Sequence, residues 1–181
     1  MKRLMITAYC LAVAMLFLNC SQGKDGSESK PQTRVIKASE LISADEAEAL
    51  LEESVIVEDD LGKVPYTDVI AYRSESYFFQ VTLTQEALYD KDSGWRDYLK
   101  EMEKNIARAT TPIDIGDGSA YLQESSGVWT IYVFYGDYYI TLGLIRHPLS
   151  HEDTDEEILW KKETLAKSGK LAVKNLKEII K

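Results

Sequence analysis

Val128 to Ile145 reads VWTIYVFYGDYYITLGLI, two runs of β-branched, aromatic and aliphatic residues on either side of Gly136-Asp137. Such residues favour the pleated, half-buried surface of a strand. A two-residue turn carrying glycine joins them as a hairpin. That turn sets the register: Tyr135 faces Tyr138, Val133 faces Ile140, Ile131 faces Leu142 and Trp129 faces Leu144. Side chains alternate across a strand, and all eight of these are apolar or aromatic, so this face belongs to a core. The opposite face pairs Phe134 with Tyr139, Tyr132 with Thr141 and Thr130 with Gly143. Leaving aromatic rings in water forgoes on the order of 1.5–3 kcal/mol for each large side chain. Tyr132, Phe134 and Tyr139 are therefore candidate binding residues if they lie exposed together. Otherwise they form the floor beneath a second layer of helix.

The rest of the chain supplies what surrounds the hairpin. Upstream, Tyr66 to Arg73 and Ser76 to Thr84 read as two strands joined around Ser74-Glu75, with Tyr77, Phe79, Val81 and Leu83 forming the apolar face. Val55-Ile56-Val57 and Ser119 to Glu124 read as shorter strands. Ser43-Ala44-Asp45-Glu46 is a capping-box pattern that opens a helix with Ala47, Leu50 and Leu51 on one face. Trp95 to Ala109 carries the helical stripe Trp95, Leu99, Met102, Ile106 and Ala109, and Thr111-Pro112 stops it. From Asp155 to Lys181 a wide stripe follows two neighbouring heptad lines. One is Ile158, Leu165, Ala172 and Ile179; the other is Leu159, Ala166, Val173 and Ile180. So wide a stripe needs a sheet to lie on. On that ground Phe134, Tyr139 and Tyr132 are expected to be covered. Gly169 either lets this helix approach the strands or, with Ser168, breaks it. The expected fold is α+β: a mostly antiparallel sheet of about six strands flanked by helices on both faces.

The first residues are chemically different. Lys2 and Arg3 precede Leu4 to Leu18, a run without charge that ends at Asn19-Cys20-Ser21. About fifteen apolar residues is short of the roughly twenty needed to span a bilayer. It suits the h-region of an export signal. Phe17-Leu18-Asn19-Cys20 resembles a bacterial lipobox, with Phe17 and Asn19 where Leu and a small residue usually stand. That resemblance implies cleavage before Cys20 and acylation of its sulfur. Several acyl chains hold a membrane durably where one does not. The expected organisation is a signal peptide over residues 1–19, a lipidated N-terminus and polar tether over 20–34, and a single α+β domain over 35–181. Cys10 and Cys20 are the chain's two cysteines. The expected exported domain therefore carries no internal disulfide.

The chain has 181 residues and a formal net charge of −9. That balance argues against nucleic acid as a partner, because phosphate binding needs clustered Lys and Arg. It equally disfavours a broad electrostatic hold on anionic lipid.

Several short motifs, taken in order, resemble those of small exported bacterial lipoproteins with a PsbP-like fold. They are Ser43 to Leu51, then Ile115-Gly116-Asp117-Gly118-Ser119-Ala120-Tyr121, the Gly136-Asp137 hairpin, and a closing helix with Leu171, Ala172, Leu176 and Ile179. The resemblance implies an antiparallel sheet between helices and an envelope location; it implies no reaction.

His147-Pro148-Leu149-Ser150-His151-Glu152-Asp153 is the sharpest candidate for chemistry. A zinc site needs three or four converging ligands, and Pro148 opposes a helix through both histidines. The plainer reading is a loop whose Asp153 or Thr154 caps the last helix. The Asp and Gly residues from Asp114 to Gly118 lack calcium-loop spacing. No cofactor and no metal is expected. The sequence thus favours a membrane-anchored, non-enzymatic binding or accessory module of the cell envelope, with an envelope protein or ligand as partner. The alternatives are a small-molecule carrier with Trp129, Tyr132 or Tyr139 lining a cavity, or a metal-dependent hydrolase using the His147–Asp155 loop.

Overall fold

The computed structural model describes residues 34–59, 61, 67–88, 94–147 and 153–181. From Arg34 to Lys181 these form one compact unit, and every buried core residue lies inside it. The expected signal segment, Cys20 and the tether up to Thr33 lie outside the described residues, as do Asp60, the Gly62-Lys63 turn, most of the Asp90–Gly94 loop and His151.

Local chemistry sets the helix boundaries. Helix α1 (Ala38–Leu41) starts where Glu40 accepts the Lys37 backbone N–H at 2.8 Å. Helix α2 (Ala44–Leu51) opens on the expected capping box: the Ser43 hydroxyl accepts the Glu46 N–H, and the Glu46 carboxylate accepts the Ser43 N–H. It ends as Glu52 takes a left-handed conformation. Strands β1 (Ile56–Glu58), β2 (Thr67–Arg73) and β3 (Tyr77–Gln85) follow, with a 3-10 turn over Glu86–Leu88. Helix α3 (Trp95–Ala109) leads into β4 (Thr111–Pro112), β5 (Ser119–Ser125), β6 (Val128–Tyr135), β7 (Tyr138–Arg146) and helix α4 (Asp155–Ile179). Thr154 caps α4, accepting the Glu157 N–H while Glu157 accepts the Thr154 N–H at 2.8 Å.

The sheet has the order β1-β2-β3-β7-β6-β5-β4, and every pair is antiparallel. The β6–β7 register is the one a two-residue turn dictates, with Tyr135 opposite Tyr138 and Trp129 opposite Leu144. Seven strands rather than about six are present. The two-residue β4 pairs Pro112 with Tyr121 at the sheet edge, where a missing N–H leaves no ladder bond unmade.

The two faces of the sheet are covered differently. Phe79, Val81, Leu83, Ile131, Val133, Ile140, Leu142 and Leu144 point to one face and are wholly buried with α1, α2 and α4. On this face Tyr72 donates its hydroxyl to the Ile42 carbonyl. Burial, with Glu46 nearby, pushes its phenol up to about 12. The other face carries Tyr121, Tyr132, Phe134 and Tyr139 against Trp95, Leu99, Met102 and Ile106 of α3.

The aromatic face is covered, by α3, and the C-terminal helix lies on the aliphatic one. Helix α4 buries Leu165, Ala172, Val173 and Leu176 in the aliphatic cluster, whereas α3 buries Trp95 and Leu99 against the rings. Two expectations need correction. Leu159 and Ile180 are exposed rather than packed. A straight helix drifts about 20° per heptad from a strict seven-residue line, so one end of the line turns outward, and Ile180 lies past the last turn. Ala109 is likewise exposed at the end of α3. Gly169, by contrast, leaves α4 unbroken, and its Cα stands so close to the sheet that an added Cβ would lie 3.1 Å from Ile115 Cγ2.

Candidate functional site

Tyr132, Phe134 and Tyr139 lie beneath α3. Phe134 is 7% exposed, and its ring stacks on Tyr139 with centroids 4.9 Å apart. Tyr132 stacks on Tyr139 at 6.4 Å, and its hydroxyl donates to Gln123 at 2.7 Å. Burial pushes the Tyr139 phenol well above its ordinary range. Helix α3 is fastened over these rings at its first turn. The Trp95 indole N–H donates to the Asp137 carbonyl at 2.8 Å, and Arg96 makes a two-pronged contact with the Asp137 carboxylate at 2.8 and 2.9 Å. The hairpin turn thus holds the lid helix, and the three aromatics form its floor instead of a free surface.

An open concavity lies at the other end of the sheet, beside the start of α4. A recess of about 360 Å³ is lined by Tyr77, Thr154, Glu156, Glu157 and Trp160. Strand β3 supplies Tyr77 at its first residue; the first two turns of α4 and its cap supply the rest. The Tyr77 and Trp160 rings meet at 4.7 Å with a 31° tilt and make an aromatic wall. Arg146, at the end of β7, is paired with Glu157. Glu156 is exposed at the rim.

Behind this wall sits the least expected feature of the molecule. Lys161 is fully buried, and its ammonium lies 2.6 Å from both oxygens of Asp153. The Trp129 indole N–H also donates to Asp153 at 3.3 Å. Lys162 then lies over the Trp129 ring at 5.4 Å from its centroid. Burial pushes the Asp153 carboxyl up, but Lys161, the Trp129 N–H and Arg146 more than reverse this, and the group is held below the ordinary carboxylate range. Burial pushes the Tyr77 phenol up; Arg146 opposes this, while Glu157, Glu53 and Asp153 add to it. Two carboxylates line the recess: Glu156, exposed at its rim, and Glu157, paired with Arg146.

The sequence pointed at part of this. Asp153 and Thr154 were recognisable as capping candidates, and Thr154 takes that role. Lys161 was hidden because it interrupts the apolar pattern. The signal that could have revealed it is the helical line Lys161, Thr164 and Ser168, all buried. His147 is exposed, its ring meeting Phe78 edge-on at 6.5 Å. Its backbone N–H donates to the Ser76 carbonyl at 2.7 Å. Among the described residues no group of three or more His, Cys, Asp and Glu is placed to hold a metal ion. No family model matches the chain, and neither a curated protein nor a solved structure does.

Proposed function

We propose that this chain is an exported lipoprotein whose α+β domain, of PsbP-like kind, acts as a non-enzymatic binding module tethered to a membrane of the cell envelope. The observation that carries the reading is the spacing between two kinds of sequence. A basic pair and an apolar run end at Cys20, and the first deeply buried side chain of the compact unit is Ile36. Residues 21–34 between them are polar or small and include Gly, Ser and Pro. Fully extended, they reach at most about 50 Å, enough to hold the domain clear of headgroups while keeping it at the surface.

The recess between Tyr77 and Trp160 is the contact point that fits this role best. Its aromatic wall and carboxylate rim suit an ammonium or guanidinium group of a partner, which an aromatic face attracts. The hydrolase alternative has less support. Asp153 has both carboxylate oxygens on Lys161, and His147 is turned to Phe78. The carrier alternative loses the residues expected to line its cavity: Trp129 is 7% exposed and bonded to Asp153, and Tyr132 and Tyr139 are packed under α3.

The test is metabolic labelling with an alkyne-bearing fatty acid in a bacterial host, followed by fractionation. The full chain should be labelled and found with membranes, and the Cys20→Ser chain should be unlabelled. An unlabelled full chain would remove the lipoprotein reading.

A further inference from the structure

Charge is unevenly divided along the compact unit. Residues 34–160 hold ten Lys and Arg against 26 Asp and Glu, a net charge of −16. Residues 161–181 hold seven Lys against two Glu, a net charge of +5. That second segment is the body of α4, and the fold sorts its lysines. Lys161 is turned inward, and Lys162 lies against Trp129. Lys167, Lys170, Lys174 and Lys177 fall within an arc of about 80° along roughly 15 Å of helix, given 3.6 residues per turn and a 1.5 Å rise, and Lys181 follows just past its end. All but Lys177 are exposed; Lys177 is paired with Asp117. Glu163 falls within the same arc one turn before Lys167, Glu178 lies about 20° beyond its edge, and Glu46 of α2 stands beside Lys174.

The beginning of the compact unit lies by this part of α4. Asn175 donates its side-chain N–H groups to the Leu41 carbonyl and to the Glu46 carboxylate, each at 3.0 Å. Helix α1 therefore rests on the same stretch of α4 that bears the lysines.

We infer that the outward lysine ridge of α4 is the face this domain turns toward an anionic lipid bilayer. The overall negative charge is compatible with this. Screening confines electrostatic attraction to about 10 Å at ordinary ionic strength, so a flat negative surface feels the nearby ridge and not the distant acids. The same acids on the remaining surface then oppose every other orientation. The bilayer's proximity rests on the tether reading above; the charge segregation does not.

The test uses residues 34–181, which contain every described element and every core residue among the described ones, and which lack Cys20. Its outcome is thus independent of acylation. Sedimentation is measured with vesicles of phosphatidylcholine alone and with about one third phosphatidylglycerol, alongside the variants K167E/K170E/K174E and K100E/K104E on α3. Since each lysine near such a surface is worth roughly a fivefold gain in partitioning, the α4 triple reversal should weaken binding to anionic vesicles by well over tenfold. The α3 double reversal should weaken it far less. A K167Q/K170Q/K174Q chain, with unchanged thermal unfolding, should show an intermediate loss. Equal binding to neutral vesicles, or an unweakened triple variant, would overturn the inference. So would binding to soluble polyphosphate but not to vesicles.

Discussion

The two faces of the sheet do different work. The face under α1, α2 and α4 is aliphatic and closed, with eight strand residues from Phe79 to Leu144 at zero exposure. The face under α3 is aromatic and smaller, with Trp95, Leu99 and Phe134 as its buried members and six partly buried residues, Tyr98, Met102, Ile106, Tyr121, Tyr132 and Tyr139, around them. A closed aliphatic layer loses packing wherever one side chain is shortened, because the surround cannot collapse into the gap. An aromatic layer with open margins can relax or admit water. The first face should set global stability, and α3 should be the part that opens first.

The sharpest test of that difference is a matched pair. Leu142→Ala, on the closed face, should cost about 3–5 kcal/mol. Leu99→Ala, on α3, should cost about 2 kcal/mol, at the low end of the same range, because Leu99 and Phe134 already border a shallow recess of about 150 Å³. Equilibrium denaturation of both variants measures the contrast. Equal losses would mean that α3 is as closed a lid as α4. Native-state hydrogen exchange should also show α3 amides opening at a lower free energy than those of α4.

Next in size is the polar exception within the closed face. Replacing Lys161 by Ala strands the Asp153 carboxylate beside Trp129, and breaking so buried a pair costs roughly 3 kcal/mol. Lys161→Met combined with Asp153→Asn should recover most of the loss, since no charge is then left unpaired. The pH dependence has a definite sign. Asp153 is held below its ordinary range when folded. Its contribution is complete above the unfolded carboxylate value near 4 and is lost as pH falls through the lower folded value. Acid unfolding of the Lys161→Met/Asp153→Asn chain should therefore begin at lower pH than that of the parent. An unchanged acid transition would show that the pair adds nothing to the closed face.

These contrasts also explain what could be read from the sequence. The hairpin register was legible because period-two alternation and a two-residue turn leave one solution. The caps at Ser43 and near Asp153 were legible because they depend on neighbours in the chain. Which helix covers which face was not. That depends on the shape of two surfaces, and the apolar stripes of α3 and α4 each satisfy a sheet in the abstract. Lys161 was illegible for the same reason: its partner Asp153 precedes α4, and only the tertiary fold shows that both are inside. The open recess by Tyr77 and Trp160 joins residues more than 80 positions apart, so neither the spacing nor the composition of either segment announces it.

Where the sheet edge meets the hairpin, Gly118 joins the two faces through the backbone. Its φ is +84°, and an added Cβ would lie 2.5 Å from the Phe134 carbonyl oxygen. That oxygen belongs to β6 and cannot swing aside as a side-chain tip could. Gly118→Ala should cost about 2 kcal/mol or more, combining the left-handed penalty of roughly 1–2 kcal/mol with the collision. Its effect should reach both faces, because β6 carries Val133 on one and Phe134 on the other. Near-neutral stability in a thermal melt would mean that β5 can slide away from β6 at this point.

The smallest effect belongs to Gly169→Ala, and its sign measures how tightly the closed face is built. Alanine is favoured over glycine in a helix interior by about 1 kcal/mol. Against that, the new methyl would meet Ile115 Cγ2 at 3.1 Å and Ile131 Cδ1 at 3.2 Å. Both are ends of side chains and can yield by a few tenths of an ångström, so the two effects should nearly cancel, leaving a change within about 1 kcal/mol. Gly169→Val cannot be absorbed in this way, since its branch points would press on Val133 as well, already 3.7 Å from the Cβ position. It should destabilise by about 1–3 kcal/mol, the usual cost of overpacking. If Gly169→Ala instead stabilises by the full propensity gain, the seam between α4 and β6 has slack, and the closed face is closer in character to the aromatic one than its burial suggests.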